Sequence, residues 1–288
     1  MRTCRVAPSG PLVLELCTVS RSTLPAAAVL LAIAATPAWT QERVSGRYEI
    51  LIGGLQVGIA GFEGRISQDS YQASVSLRLS GVSRVVASGR GSAMASGRIA
   101  GARAVPANYT LTLNTTQQND AIRMAMSGGA IRSHSAEPAR PAMPDEVPLT
   151  AAHKQGVLDP LSAGFFFVSG SGPTVSPEAC GKTFPVFDGR QRYDLSFSFA
   201  RTETLKVAGY DGPAVVCNAR YRAIAGHRPA VTAPMEANRD MQIWLAPVAG
   251  TRALVPARIT IRTPVGMAEI QPTRLELGAP STTASIQR

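Results

Sequence analysis

The sequence predicts an all-β, mostly antiparallel protein that forms a strongly curved sheet or open β-barrel with one short helix. A two-sheet β-sandwich is the structural alternative. Polar and apolar residues alternate along most of the chain, which is typical of strands that bury one face. The 26 glycines and 21 prolines interrupt the chain too often for long helices. Hydrophobic residues make up 45% of the 288 positions, so a sizeable core is expected.

Residues 1–38 are predicted to be a signal peptide that is cleaved near Ala38. Three arginines precede an apolar run at 24–35, and small residues follow that run. The run is shorter than the ~18–20 residues of a membrane-spanning helix, and the alternatives are a buried helix or a retained anchor. The predicted location is therefore the periplasm, and no later segment is apolar enough to span a membrane.

Residues 42–134 are predicted to form a meander of antiparallel strands, about six or seven in number by the spacing of their turns. Val75, Leu77 and Leu79 alternate with polar residues and therefore share one face of a strand. The pair Gly53-Gly54 separates two alternating runs, as in a tight hairpin turn.

A proline-rich connection over 135–152 follows this meander. It is interpreted either as a linker between two lobes of a single β-rich domain, residues 39–278, or as a strap over the mouth of a barrel. The polar residues 279–288 are predicted to be a disordered tail.

A short helix is predicted over about 160–168, because Asp159 suits the N-cap position and Pro160 suits the first helical position. The apolar side of this helix carries three residues: Leu161, Phe165 and Phe166. These side chains are expected either to fill the core under the sheet or to close a hydrophobic cleft that holds a lipid-like ligand.

The pair Asp188-Gly189 is interpreted as the turn of a β-hairpin rather than as part of a catalytic site. Asp-Gly is among the strongest hairpin signals, because both residues tolerate positive φ. Arg190, Arg192 and Asp194 follow the turn. They are expected to line the polar lumen of a barrel and so to border the ligand cleft, or else to form a solvated face.

Cys180 and Cys217 are predicted to form a disulfide. The other two cysteines lie within the predicted signal peptide, which leaves an even pair in an oxidising compartment. Closing a loop of this length stabilises the fold by about 4 kcal/mol in the chain-entropy description.

No catalytic residue, metal site or cofactor is predicted. The three histidines are far apart and lack metal-ligand spacing. The sequence contains neither the nucleophile-elbow motif of hydrolases nor the His-Glu-x-x-His motif of metalloproteases. No pair of carboxylates suggests an acid–base couple, so an enzyme is the less favoured class.

The charge of the chain is strongly basic. Loss of residues 1–38, with three arginines and Glu15, would lower the net charge from +10 to +8. Such a protein favours anionic partners, for example anionic lipid or lipopolysaccharide-like molecules, although scattered arginines also suit a solvated surface. Nucleic acid is not an expected partner, because no binding motif is present and the predicted location is outside the cytoplasm.

An ordered set of short motifs resembles a known family. The set runs from DPLSA at 159–163 through VFDGRQRYDL at 186–195 and YRAIAG at 221–226 to WLAP at 244–247, with one cysteine before the second motif and one after it. This pattern resembles the bacterial exported family called domain of unknown function 3108, over about residues 45–275. The resemblance implies a β-rich envelope protein and supplies no catalytic residues.

These features are compatible with three functions. The leading hypothesis is a periplasmic protein that binds or carries an amphipathic, lipid-like envelope molecule. The alternative is an envelope structural or assembly factor that binds a protein partner through a sheet edge. A hydrolase of envelope polymers is the third and least favoured hypothesis.

Overall fold

A computed structural model describes residues 41–80, 88–141 and 143–278. Within these residues, fourteen strands form one sheet whose ladders are all antiparallel. The predicted all-β, open and curved architecture is confirmed. The sandwich alternative is wrong, because the described strands belong to one sheet rather than two.

The strands are β1 (Glu42–Ile52), β2 (Leu55–Ile66), β3 (Ser70–Leu79), β4 (Gly89–Ala100), β5 (Arg103–Thr115), β6 (Asn119–Ser127), β7 (Ala130–Glu137), β8 (Phe166–Phe167), β9 (Lys182–Phe187), β10 (Arg192–Val207), β11 (Tyr210–Ala225), β12 (Met241–Pro247), β13 (Ala253–Thr263) and β14 (Gly266–Leu277). The α-helix of the described residues is α1 (Pro229–Ala237).

The sheet consists of two meanders that meet at its centre. β1 to β7 run outward in sequence order, and β9 to β14 return, so that β1 pairs with β14. β7 and β9 are therefore the edge strands, and they are the strands joined by the long connection at 138–181. The short strand β8 lies off this path and pairs with β13.

The alternating residues of the N-terminal half form antiparallel strands, as predicted. Seven strands are present in the described residues of the region in which six or seven were expected. Gly53 and Gly54 form the β1–β2 turn with positive φ values of 57° and 82°. The predicted signal peptide at 1–38, its cleavage near Ala38 and the tail at 279–288 lie outside the described residues.

The predicted helix over 160–168 is wrong. Residues Ser162–Gly164 form one 3₁₀ turn, and the chain then extends into β8. Phe165 and Phe167 pack into one apolar cluster, whereas Phe166 packs into a cluster on the opposite side. A helix cannot present adjacent residues to opposite faces in this way, whereas a strand does so at every step.

The helix that does form, α1, connects β11 to β12 and was not predicted. Pro229 lies in its first turn, where proline is tolerated, but Pro234 lies inside it, where proline normally interrupts a helix. None of the helices in the described part of the chain is long and apolar enough to cross a bilayer.

The strands β11, β12 and β13 are buried on both faces. Val216 and Trp244 belong to one apolar cluster, and Val215 and Leu245 belong to the cluster behind it. The second cluster is covered by the segment 166–180, which a disulfide between Cys180 and Cys217 ties to β11. The covering segment is thus fixed to the sheet covalently as well as by packing.

Candidate functional site

Residues 157–168, called here the plug segment, fill part of the space enclosed by the curved sheet. The segment begins between the two edges of the sheet. The amide of Val157 donates to the carbonyl of Gly129 at 2.8 Å, and that of Leu158 donates to the carbonyl of Pro185 at 2.8 Å. The segment ends at β13, where the Val168 amide donates to the Arg252 carbonyl. It therefore bridges the open seam and then crosses the interior.

A buried hydrogen-bond chain holds the turn of the plug segment in place. One oxygen of Asp159 accepts from the Leu161 and Ser162 amides, at 3.0 and 2.8 Å. The other accepts from the Ser162 hydroxyl at 2.5 Å, so the Tyr71 hydroxyl must donate to Ser162, at 2.6 Å. Burial raises the pKa of the Asp159 carboxyl, and the hydrogen bonds that it accepts oppose the shift.

Burial on the inner face of the sheet changes along the strands. On β3, Tyr71 is fully buried, whereas Leu77 and Leu79 on the same face are half-buried. On β5, Tyr109 is buried and Leu113 is half-buried. The plug segment covers the first part of this apolar face, and the remainder is left partly open.

The uncovered part lies toward one end of the sheet, called here the α1 end. At this end β1, β3, β11 and β13 finish, and β2, β12 and β14 begin. The helix α1 and the β1–β2 and β13–β14 turns all lie there. The interior is therefore packed on one side of the plug segment and partly open on the side that faces the α1 end.

An apolar cavity of about 300 Å³ lies beside the plug segment. This volume is at the lower end of the ~300–1,000 Å³ that is usual for small-molecule sites. Strands from both meanders and the plug segment form its walls. The lining residues are Tyr48, Ala60, Gly61, Phe62, Val75, Pro160, Leu161, Ala163, Gly164, Phe165, Leu195, Phe197, Ile243, Pro256, Ala257, Arg258, Ile259 and Ile270.

Arg258 provides the charge in this otherwise apolar wall. Its guanidinium lies 5.0 Å from the centre of the Trp244 ring and 2.5 Å from the carboxylate of Glu269. Its Nε is buried and has no hydrogen-bond partner among the described residues. The guanidinium is thus the charged group that borders the cavity, and the Glu269 carboxylate balances its charge.

Some of the residues predicted for the ligand cleft line the cavity, and others lie elsewhere. Leu161 and Phe165 line the cavity, as the cleft interpretation requires. Phe166 does not line it, because this side chain points to the opposite cluster and its ring lies 5.0 Å from that of Phe184. Arg192 and Asp194 form an ion pair at 2.7 Å, and their places on β10 alternate with that of Leu195, which does line the cavity.

Asp188 and Gly189 lie in the turn between β9 and β10. Oδ1 of Asp188 accepts from the amides of Arg190 and Gln191, at 2.8 and 2.6 Å, and Gly189 has a φ of 99°. Burial raises the pKa of Asp188, and the amide bonds oppose this shift. These contacts account for the aspartate as a turn residue.

Arg190 belongs to the seam between the sheet edges rather than to the cavity. Its guanidinium donates to Asp120 at 3.0 Å and to the Pro138 carbonyl at 2.9 Å. Arg140 contacts both oxygens of Asp120, at 2.8 and 2.9 Å. Sequence reasoning missed Asp120, because in the sequence it is only one polar residue directly before an alternating run.

The carboxylates and histidines do not converge in a cleft of the described structure. Asp159 is fully buried, Asp194 is ion-paired, and His153 accepts a hydrogen bond from the Thr150 amide at 3.2 Å. The described residues contain no group of three or more His, Cys, Asp or Glu that could hold a metal ion.

Comparison with curated proteins finds no match for this chain. Among solved structures, the chain is similar to a beta-barrel-like protein of domain of unknown function DUF1849 from Brucella abortus. The two share 8% sequence identity with a TM-score of 0.48, and the match covers 81% of this chain and 97% of the other. The profile of a protein family of unknown function, DUF3108, matches residues 47–271. The chain therefore belongs to the DUF3108 family.

Proposed function

We propose that the protein binds a small amphipathic molecule of the cell envelope and carries it with the apolar part in the interior cavity. The observation that carries this proposal is the apolar cavity of about 300 Å³, next to an inner face that stays half-buried toward the α1 end. Apolar surface left partly open inside a domain is costly, and a bound apolar group would remove it from water.

The cavity volume narrows the class of ligand. An apolar cavity of ~150 Å³ accepts one benzene-sized molecule. A space of about 300 Å³ therefore suits one short acyl chain or a small ring system. A lipopolysaccharide with several acyl chains would not fit unless the sheet opened further.

Polar groups in and next to the cavity lining favour an amphipathic ligand over a pure hydrocarbon. Arg258 is the charged residue of the cavity lining, and Tyr193 and Tyr221 carry hydroxyl groups close to the lining residue Leu195. The two tyrosine rings lie 5.2 Å apart, and Leu195, which lines the cavity, follows Tyr193 by two residues on the same face. A headgroup could therefore find donors while its tail is buried.

The proposed location is an exported compartment, the periplasm. The Cys180–Cys217 disulfide supports it, because such bonds persist in oxidising environments. The N-terminal segment is proposed to be removed on export near Ala38.

Native mass spectrometry of the gently purified protein, with lipid extraction of the same sample, tests the proposal. A bound molecule of stoichiometric amount with an apolar tail is the expected result. A mass equal to that of the polypeptide alone under all gentle conditions would contradict carriage, and the function of an assembly factor with a protein partner would then be favoured.

A further inference from the structure

The exposed apolar side chains of the described residues are unevenly distributed. Eight large hydrophobic side chains are exposed, and five of them lie at the α1 end in turns, in the helix or at the first position of β2: Leu55, Met143, Val231, Met235 and Val265. The other three lie on strand faces. Single exposed apolar residues are ordinary, whereas a concentration at one end marks an interaction surface.

Two of these residues are neighbours on adjacent hairpin tips. Leu55 follows the β1–β2 turn and is 69% exposed, and Val265 is in the β13–β14 turn and is 55% exposed. The Gly53 amide donates to the Met267 carbonyl at 2.9 Å, which holds the two tips together. The tips thus form one apolar projection.

The helix α1 extends the same surface. Val231 and Met235 are four residues apart, so they lie on one face of α1, and both are exposed. Asn238, directly after the helix, donates to the Arg262 carbonyl at 2.8 Å, close to the β13–β14 tip. The exposed face of α1 and the hairpin tips therefore belong to one continuous end of the molecule.

The groove next to these tips has a positive net charge, because Arg47, Arg78 and Arg90 line it with one carboxylate, that of Glu49. Arg78 and Arg90 face each other across β3 and β4 near the α1 end, and both are exposed. Neither takes part in a salt bridge among the described residues. By contrast, two acidic residues at this end, Asp145 and Asp240, are each paired with an arginine. Like charges directly opposite in a sheet are unfavourable, and a bound anion would relieve their repulsion.

We propose that the α1 end docks on the surface of a lipid bilayer with anionic headgroups. Leu55, Val265, Val231 and Met235 enter the boundary between headgroups and acyl chains, while Arg78 and Arg90 attract the anionic surface. Apolar insertion and basic attraction are the two contributions that hold interfacial proteins on membranes. The inference goes beyond ligand carriage, although the inner face is also open toward this end.

Vesicle flotation tests the proposal, with vesicles of phosphatidylcholine alone and of equal parts phosphatidylcholine and phosphatidylglycerol. The protein is used as cells produce it, and its intact mass identifies the N-terminus. The N-terminus must be known because residues 24–35 would add apolar surface if they were retained. The test variant is Leu55→Asp with Val265→Asp. Its matched control is Met94→Asp, which changes a side chain 59% exposed on the face of β4.

The wild type and Met94→Asp are expected to float with the phosphatidylglycerol vesicles, and the tip variant is expected to bind at least tenfold more weakly. Replacing Arg78 and Arg90 by glutamate should weaken binding to the same vesicles by at least fivefold. All substituted side chains are exposed, so circular dichroism should show an unchanged fold.

The proposal is overturned if the wild type binds neither type of vesicle, or if the tip variant binds as well as Met94→Asp. These outcomes say nothing about the interior cavity, whose occupancy is measured separately by native mass spectrometry. The two proposals can therefore fail independently.

Discussion

At the residue scale, Asp159 shows how a buried carboxyl can fix the path of the chain inside an apolar interior. Its two oxygens accept three hydrogen bonds from Leu161 and Ser162, and these bonds set the direction in which the plug segment leaves the seam. The sequence identified Asp159 as a capping residue, and its side chain does accept amides of the following turn. The predicted helix after Asp159 was wrong, because the three consecutive phenylalanines at 165–167 are bulky residues that favour extended structure.

The raised pKa of Asp159 predicts a dependence of stability on pH. A carboxyl whose pKa is higher in the folded state than in the unfolded state makes a contribution that is fully present below the unfolded pKa. That contribution is lost as the pH rises through the folded pKa. Asp159→Asn cannot ionise, and its amide oxygen can still accept the two amide hydrogens.

The free energy of unfolding of Asp159→Asn, relative to wild type, should therefore increase from pH 4 to neutral pH as the wild-type carboxylate ionises. Urea titrations at several pH values measure this difference. Asp159→Ala is the comparison variant, because it loses the hydrogen bonds and should be destabilised at every pH. A difference between wild type and Asp159→Asn that stays constant with pH would show that burial does not shift this carboxyl.

At the element scale, the alternating strands were predictable, and the contacts across the open seam between β7 and β9 were not. The period-two pattern identifies strands such as β3 because each needs only its own residues to bury one face. The seam instead depends on contacts between residues far apart in sequence, such as Asp120 with Arg190. Neither residue has a local pattern that reveals its partner.

Removal of the Asp120 carboxylate should weaken the seam. Side-chain exposures are 9% for Asp120 and 16% for Arg190, so Asp120→Asn leaves a largely buried arginine charge with neutral acceptors alone, the Pro138 carbonyl and the new amide oxygen. The expected loss in the free energy of unfolding is about 3 kcal/mol. Asp211→Asn, which breaks an exposed pair with Lys206, is the control and should change little.

Hydrogen exchange shows which strands lose stability in Asp120→Asn. Amides of β7 and β9 should exchange faster in Asp120→Asn than in wild type, relative to amides of the central strands β1 and β14. Uniform acceleration throughout the sheet would mean that Asp120 stabilises the fold as a whole and not the contacts across the seam in particular.

The disulfide should stabilise the cover over β11. Cys180 and Cys217 are 37 residues apart and both fully buried. Replacing both by alanine should lower the free energy of unfolding by about 4 kcal/mol, mainly by freeing the unfolded chain. Denaturant titration with and without reductant checks this, since reductant should destabilise the wild type and leave the double variant unchanged.

At the scale of the whole molecule, the arrangement of two meanders explains why the cavity could not be read from the sequence. Its walls include Ala60 and Val75 from the first meander, and Leu195 and Ile259 from the second. The sequence around each of these residues predicts only an ordinary inward-facing strand residue. Only the pairing of β1 with β14, together with the path of the plug segment, brings them around one space.

Filling the cavity tests the central claim most directly. Ala60 is a half-buried cavity residue on β2, and Ala60→Phe places a ring in the space proposed for the apolar tail. Ser76→Phe is the matched control, because it adds the same ring to an exposed position on the polar face of β3. Both proteins should retain the fold and the disulfide, which circular dichroism and thiol titration verify.

The decisive measurement is the titration of each protein, after lipid extraction, with a fluorescent single-chain fatty acid. We expect saturable binding of one probe to wild type and to Ser76→Phe, and at least tenfold weaker binding to Ala60→Phe. Equal binding to all three proteins, or no saturable binding to wild type, would contradict a ligand site in the interior cavity.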